Sequence, residues 1–528
     1  MTESLFLSRS LAYIIYNQLN RGKRKLQLHT ESLREAYHKV VKEVYVGNLE
    51  NPYGGVRGPP GTGKTALAET AMSDNKIIGR LTDQVFLYEA HTNELITSTF
   101  HRLLSLSVET CQDVKEFLRS VRLYGSMVPR PYIASDYQLL KSACSNITEE
   151  DLRKVTEGNI DQDVKFIFST EFQRASAKMR VRRKFLLFVD EASTSPFYLP
   201  YTPLSDAALK TVVEEGKGLI EGLVVVGDER QAIGVGPEYQ GWGEHLLVLP
   251  KIRQMLEKLG LTNQFYHLKE TLRLPAPTED PLDQGFYSDI GGLRAVEDFQ
   301  SRYRKLGLYV WLERWGKCTK QVYLIDILKR GVENVLSARL PLLIVNLKQS
   351  YKGGEKLEPK RIDIAIKLAA LFKCLYPHLE ITVTGPYRDL VGVAKLNYVR
   401  RYQNMGQVHF LSVQSMLGKE SDIVISILGK EYAGEEEKPT IYFMEPNNLN
   451  VQLSRHRAML IVIGDVVRLR NVAAKTASNV GLPHLRRAPA TMIRKTCDGL
   501  LELAGVKNPR RVQLRHSTGE GGVFINLA

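Results

Sequence analysis

Residues 58–65 read GPPGTGKT, and ALAETA (66–71) follows directly. Three glycines in eight residues let a backbone wrap closely round an anion, and the N–H groups opening the following helix point at it. Lys64 supplies a point charge for the outer phosphates, and the Thr65 hydroxyl suits Mg²⁺. The stretch fits the full G-x-x-x-x-G-K-[ST] pattern and runs into a helical segment. It therefore predicts a phosphate loop running straight into a helix. Gly58, Pro59, Pro60, Gly61, Thr62, Gly63, Lys64 and Thr65 are the expected nucleotide-binding residues, with ATP and Mg²⁺ as the expected cofactors.

Outward from the loop, short apolar runs recur in two groups. VFLYEA (85–90), FLLFVD (185–190) and LVVVGD (223–228) follow the loop. LLIVN (342–346), EITVTG (380–385), VHFLSV (408–413), DIVISIL (422–428) and LIVIGD (460–465) form the second set, with helical patterns such as IDIAIKLAALFKCL (362–375) between them. Strands alternating with helices predict two parallel α/β layers. The expected domains are 1–275 and 276–469, divided where LRLPAPTEDP (272–281) supplies three prolines. Residues 105–182 are long and charged and read as an insertion in the first domain. Residues 470–528 read as a basic C-terminal extension, partly disordered.

The chain has 528 residues, 43% hydrophobic and 25% charged, as in ordinary globular proteins. No apolar run reaches the length of a membrane span, and LFLSRSLAYIIY is broken by Arg9, so a cytoplasmic or nuclear protein is expected. Five scattered cysteines with no C-x-x-C pair argue against a zinc module and against a disulfide framework. The formal net charge of +14 favours an anionic polymer as partner. Eleven Lys/Arg between Arg468 and Arg515, against only Asp498 and Glu502, would suit a phosphate-tracking surface.

FVDEAS (188–193) places Asp190 and Glu191 at the end of an apolar strand, where the first carboxylate can hold Mg²⁺ and the second can polarise water. VVGDERQ (225–231) puts Asp228 and Gln231 after the next strand, and a neutral amide there can sense a terminal phosphate. In the second half, Arg273 and the Arg455/Arg457 pair of NVQLSRHR (450–457) could clamp that phosphate. Tyr239 and Trp242 in GPEYQGWGE could stack on bases or pack their own loop.

Taken in order, GPPGTGKT, YEAHTNEL (88–95), FVDEAS, VVGDERQ, LKETLRLP (268–275), TVTGPYRDL (382–390), SVQSMLGKESDIV (412–424) and NVQLSRHR resemble the motifs of superfamily 1 helicases. The similarity is to the B branch, the group of the nonsense-mediated-decay RNA helicase and the Okazaki-fragment helicase-nuclease. It spans residues 54 to 465. The resemblance implies two RecA-like domains, a nucleic-acid-dependent ATPase and movement on a single strand, 5′ to 3′. By position it makes Gln231 the γ-phosphate sensor, Arg273 and Arg455 arginine fingers, and Glu420 a contact near the sugar or γ-phosphate. It makes Thr92, Asn93 and Ser415 contacts to the nucleic-acid backbone. Two departures stand out: Leu417 occupies the place of a usual glutamine, and ESLREAYHKVVKEV (31–44) holds no glutamine to read adenine. DNA and RNA both remain open as substrates, since backbone grips serve either. A nucleotide-dependent clamp that never unwinds duplex is the alternative function. Residues 105–182 and 470–528 are the candidate segments for protein partners.

Overall fold

The computed structural model describes residues 10–47, 52–125, 128–170, 183–193, 220–231, 247–309, 312–348, 357–430, 441–482, 484–508 and 515–527. The chain divides into two compact units. The first holds residues 1–58 and 63–268; the second holds 269–528 together with Pro59–Thr62. The division falls at Leu268/Lys269, a few residues before the proline-rich stretch.

The first unit is built on β1 (Tyr53–Arg57), β2 (Gln84–Ala90), β3 (Val121–Tyr124), β4 (Phe166–Thr170), β5 (Lys184–Asp190), β6 (Ile220–Gly227) and β7 (Phe265–His267). Their order in the sheet is β3-β4-β2-β5-β6-β1-β7, and every neighbouring pair is parallel. Helices cover both faces of such a sheet, so its strands read as continuous apolar runs; all seven residues of β2 are buried. β1 is apolar in a different way. A Cβ on Gly54 would come 2.6 Å from Val40 Cγ1, and one on Gly55 would come 2.5 Å from the Phe265 ring. Close packing on both sides therefore requires two residues without side chains in the strand that leads into the phosphate loop.

The second unit carries a two-stranded ribbon, β8 (Glu270–Thr271) with β9 (Arg294–Ala295), and a larger sheet. That sheet contains β10 (Leu342–Asn346), β11 (Ile381–Gly385), β12 (His409–Ser412), β13 (Ser421–Ile427), β14 (His456–Gly464), β15 (His516–Thr518) and β16 (Gly522–Asn526). The order is β12-β11-β13-β14-β10-β16-β15, parallel except for the β15/β16 pair. The expected α/β class is the architecture of the chain, two units each built on a seven-stranded, largely parallel sheet.

Three expectations are corrected. The segment 105–182 is not an appendage where it is described: it supplies β3 and β4, and Leu118, Val121, Leu123 and Phe168 join the core of the first unit. The C-terminal segment is not a separate extension. β16 pairs with β10 along its whole length, Val523, Phe524 and Ile525 are fully buried, and helix His484–Leu503 packs Ile493, Cys497 and Leu501 into the second core. The scattered cysteines pair across space, Cys111 with Cys144 and Cys318 with Cys374, at Cα separations of 5.4 and 5.8 Å. Sequence separations of 33 and 56 residues carry no local signature of such pairing.

Candidate nucleotide and nucleic-acid site

The phosphate loop leaves β1 at Gly58, whose N–H donates to the Gly227 carbonyl at 2.8 Å, so the loop starts beside the end of β6. Thr62 closes a turn onto the Pro59 carbonyl through its hydroxyl at 2.9 Å. Gly61 and Gly63 take φ of +70° and +85°, left-handed values that favour glycine. Gly63 then caps helix Lys64–Ser73, and no side chain accepts from its first turn. That leaves a helix N-terminus of the kind that receives anions. The Lys64 ammonium donates to the Gly58 carbonyl at 2.7 Å, folded over the loop it belongs to.

Asp190, at the end of β5, is buried and accepts from the Thr65 hydroxyl at 2.9 Å and the Tyr88 hydroxyl at 2.8 Å, both on Oδ2. The Thr99 hydroxyl donates to Tyr88 at 3.0 Å, so a short chain of hydroxyls fixes the carboxylate from behind. Burial pushes the Asp190 carboxyl up to about 6 and the neighbouring Glu191 charge adds to the rise, against the opposing pull of Tyr88, Lys64 and Thr65. Its negative charge is therefore under-compensated, and a hard divalent cation bound by the Thr65 and Asp190 oxygens would complete it. The residues fit a Mg²⁺-bearing triphosphate.

Glu191 has φ of +54°, an unusual backbone for a residue with a side chain, and its N–H donates to Asp190 Oδ1 at 2.9 Å. Such strain costs on the order of 1–3 kcal/mol and concentrates at functional positions. The turn is held by the Ala192 N–H on the Val226 carbonyl at 2.9 Å. Beyond β6, the Gln231 amide donates to the buried Asp228 carboxylate, and the Gln231 N–H donates to the Asp228 carbonyl at 2.9 Å. Asp228 thus orients the candidate sensor, while Arg57 pairs with the adjacent Glu229. Lys64, Thr65, Asp190, Glu191 and Gln231 all sit at the C-terminal ends of neighbouring strands or on the loop beside them.

The second unit gathers the remaining charged candidates. Arg273 Nε donates to Glu420 Oε2 at 2.7 Å, and its guanidinium reaches the Ser454 carbonyl at 3.4 Å. Arg455 is buried, and its carbonyl accepts from the Ser421 N–H at 3.0 Å. Burial alone would raise the Glu420 carboxyl, but Arg273, Arg457 and Arg455 together hold it below the usual range. Arg457 is committed to three carboxylates, Glu380 at 2.9 Å, Asp422 at 3.0 Å and Glu420 at 3.4 Å. Arg273 and Arg455 are the cationic candidates, and Glu420 feels the charge of both.

Thr92 is exposed and caps helix Asn93–Ser107, its oxygen accepting from the Leu95 N–H at 3.2 Å while its O–H stays available to donate. Asn93 opens the same helix, half-buried. Ser415, exposed on a short 3₁₀ turn, lies with its hydroxyl 3.1 Å from that of Ser412. Tyr239 and Trp242 lie outside the described residues. Tyr88 and Thr99 escaped sequence reasoning, because hydroxyls supporting a carboxylate from another strand leave no spacing signal; Tyr88 does stand within the YEAHTNEL motif.

Residues 255–467 match the model of the AAA domain family AAA_12. No curated protein matches the sequence. Among solved structures, the helicase of PRRSV is 11% identical and covers 81% of this chain and 54% of its own, with a TM-score of 0.34. Arterivirus nonstructural protein 10, a helicase in complex with DNA, is 12% identical over 81% of this chain and 62% of its own, TM-score 0.33. Dbp5 of S. cerevisiae, bound to RNA and ADP BeF3, is 10% identical over 88% of this chain and 92% of its own, TM-score 0.30. The chain thus spans between half and two thirds of the two viral helicases. Superpositions this loose carry no residue assignment, which rests on the geometry above.

Proposed function

We propose that this chain is a nucleoside triphosphatase stimulated by single-stranded nucleic acid, a helicase or translocase of the superfamily 1 type. The observation that carries the reading is the buried Asp190 carboxylate, joined to the Thr65 hydroxyl of the phosphate-loop helix and followed by Glu191 in a left-handed turn. In this reading the loop amides and Lys64 bind the triphosphate, and Thr65 with Asp190 holds Mg²⁺, whose role is to neutralise phosphate charge. Glu191 accepts a proton from the attacking water, and Gln231, oriented by Asp228, bonds that water or the terminal phosphate. Arg273 and Arg455 stabilise charge on the transferring phosphoryl group, with Glu420 setting their spacing. Thr92, Asn93 and Ser415 grip backbone phosphates without reading sequence.

Movement on the strand is 5′ to 3′ in this reading, by resemblance to the B branch. The clamp alternative uses the same site but leaves duplex intact. The test pairs two assays on one preparation: ATP turnover with matched single-stranded DNA or RNA, and displacement of a strand from duplex with a 5′ overhang. Stimulated turnover with displacement supports the helicase; stimulated turnover without it supports the clamp. Turnover indifferent to either polymer contradicts both.

A further inference from the structure

Arg302 lies on helix Phe299–Lys305 of the second unit, outside every motif noted above. One guanidinium there reaches three backbone carbonyls: Leu272 at 2.9 Å, Arg457 at 3.0 Å and Arg273 at 3.4 Å. Glu297 aims it, accepting from Nε at 3.0 Å and lying 2.9 Å from a terminal nitrogen. The carbonyls belong to the two segments that carry the candidate fingers. Leu272 precedes one finger and Arg273 is that finger, while Arg457, the second residue of β14, lies two residues after the other. A cavity of about 440 Å³ borders Arg302, Arg457, Glu380 and Asp422. Leu306 and Leu379 line the same hollow, and Phe299 and Tyr303 of the helix pack into the apolar core, so the hydrogen bonds of Arg302 act beside apolar packing and add direction to it.

We propose that Arg302 is a positioning residue that fixes Arg273 and Arg455 relative to one another for phosphoryl transfer. The inference rests on the reading of those two arginines as fingers. A planar fork with five donors can serve three carbonyls and a carboxylate together, whereas a lysine ammonium is a single point of attachment. Misplacing a catalytic group by about 1 Å costs up to roughly 100-fold in rate.

The test is Arg302→Lys in the full chain, assayed for strand-stimulated turnover, affinity for a fluorescent ATP analogue and melting temperature. The expected result is a 10- to 100-fold loss of turnover with affinity within about threefold of wild type. Turnover within about threefold of wild type, or an equal loss of affinity, would overturn the proposal. If Arg302→Lys melts too low to assay, Glu297→Gln replaces it, keeping the guanidinium but weakening its aim. A several-fold loss of turnover at unchanged affinity then supports the proposal, and wild-type turnover overturns it. Should Arg273→Ala and Arg455→Ala both turn over normally, the finger reading itself falls. Should they fail while Arg302→Lys works, only the positioning role falls.

Discussion

At Asp190 the demands of folding and of chemistry oppose one another. The folded protein holds this carboxyl near 6 because it is buried and faces the Glu191 charge. An unfolded aspartate titrates near 4, so between about pH 4 and 6 the native state binds the extra proton and stability falls as pH rises through that window. Asp190→Asn removes the penalty while keeping an oxygen for Thr65 and Tyr88. In chelator at pH 7 its thermal unfolding should show a gain on the order of 2 kcal/mol, together with loss of Mg²⁺-dependent nucleotide binding. A variant no more stable than wild type would mean the burial is already compensated. Glu191→Gln separates binding from chemistry at the next residue. Affinity for ATP and Mg²⁺ should persist because Lys64, Thr65 and Asp190 remain, and steady-state turnover should drop by about 10²-fold or more. Wild-type hydrolysis would remove Glu191 from that role.

The elements were legible in the sequence where burial on both faces wrote a continuous apolar run. FLLFVD and LIVIGD became strands for that reason, as did the other runs in both groups. β1 was hidden because packing against Val40 and Phe265 demands glycines, which read as a breaker. β3 and β4 were hidden because VRLY and FIFST sit among charged residues that suggest a surface insertion. β16 was hidden for a similar reason: GVFIN follows a Gly-rich stretch, yet its buried face completes the second sheet. The candidate site was drawn from the sequence because loop, carboxylates and arginines stand in fixed local patterns. Its supports were not, because Tyr88, Thr99 and Arg302 act across distant stretches of chain. The C-terminal strand can be tested directly: Phe524→Ala should lower stability by about 3–5 kcal/mol in denaturant unfolding, as for a buried aromatic in a core. A change below about 1 kcal/mol would return this segment to the status of a loose tail.

For the molecule as a whole, charge and coupling are the two properties that matter. With a net charge of +14, binding to any polyanion should weaken with salt. Arg487 and Arg494 stand seven residues apart on helix His484–Leu503, half-buried, their Nε atoms without acceptors among the described residues. Replacing both with alanine should flatten the logarithmic salt dependence of strand binding by up to about two. An unchanged slope would assign that helix to packing alone.

The central claim is that the phosphate loop with Lys64 binds nucleotide while Arg273 and Arg455 complete its hydrolysis. Arginine fingers contribute about 10³ to 10⁵ in turnover, roughly 4–7 kcal/mol of barrier. The direct measurement is nucleotide affinity and strand-stimulated turnover for Arg455→Ala and Arg455→Lys on the same preparations. The account predicts near-normal affinity with turnover lost in both, since an ammonium does not reproduce the planar fork. Turnover within about threefold of wild type at normal affinity would contradict it, because so small a change in barrier leaves no place for a finger at Arg455.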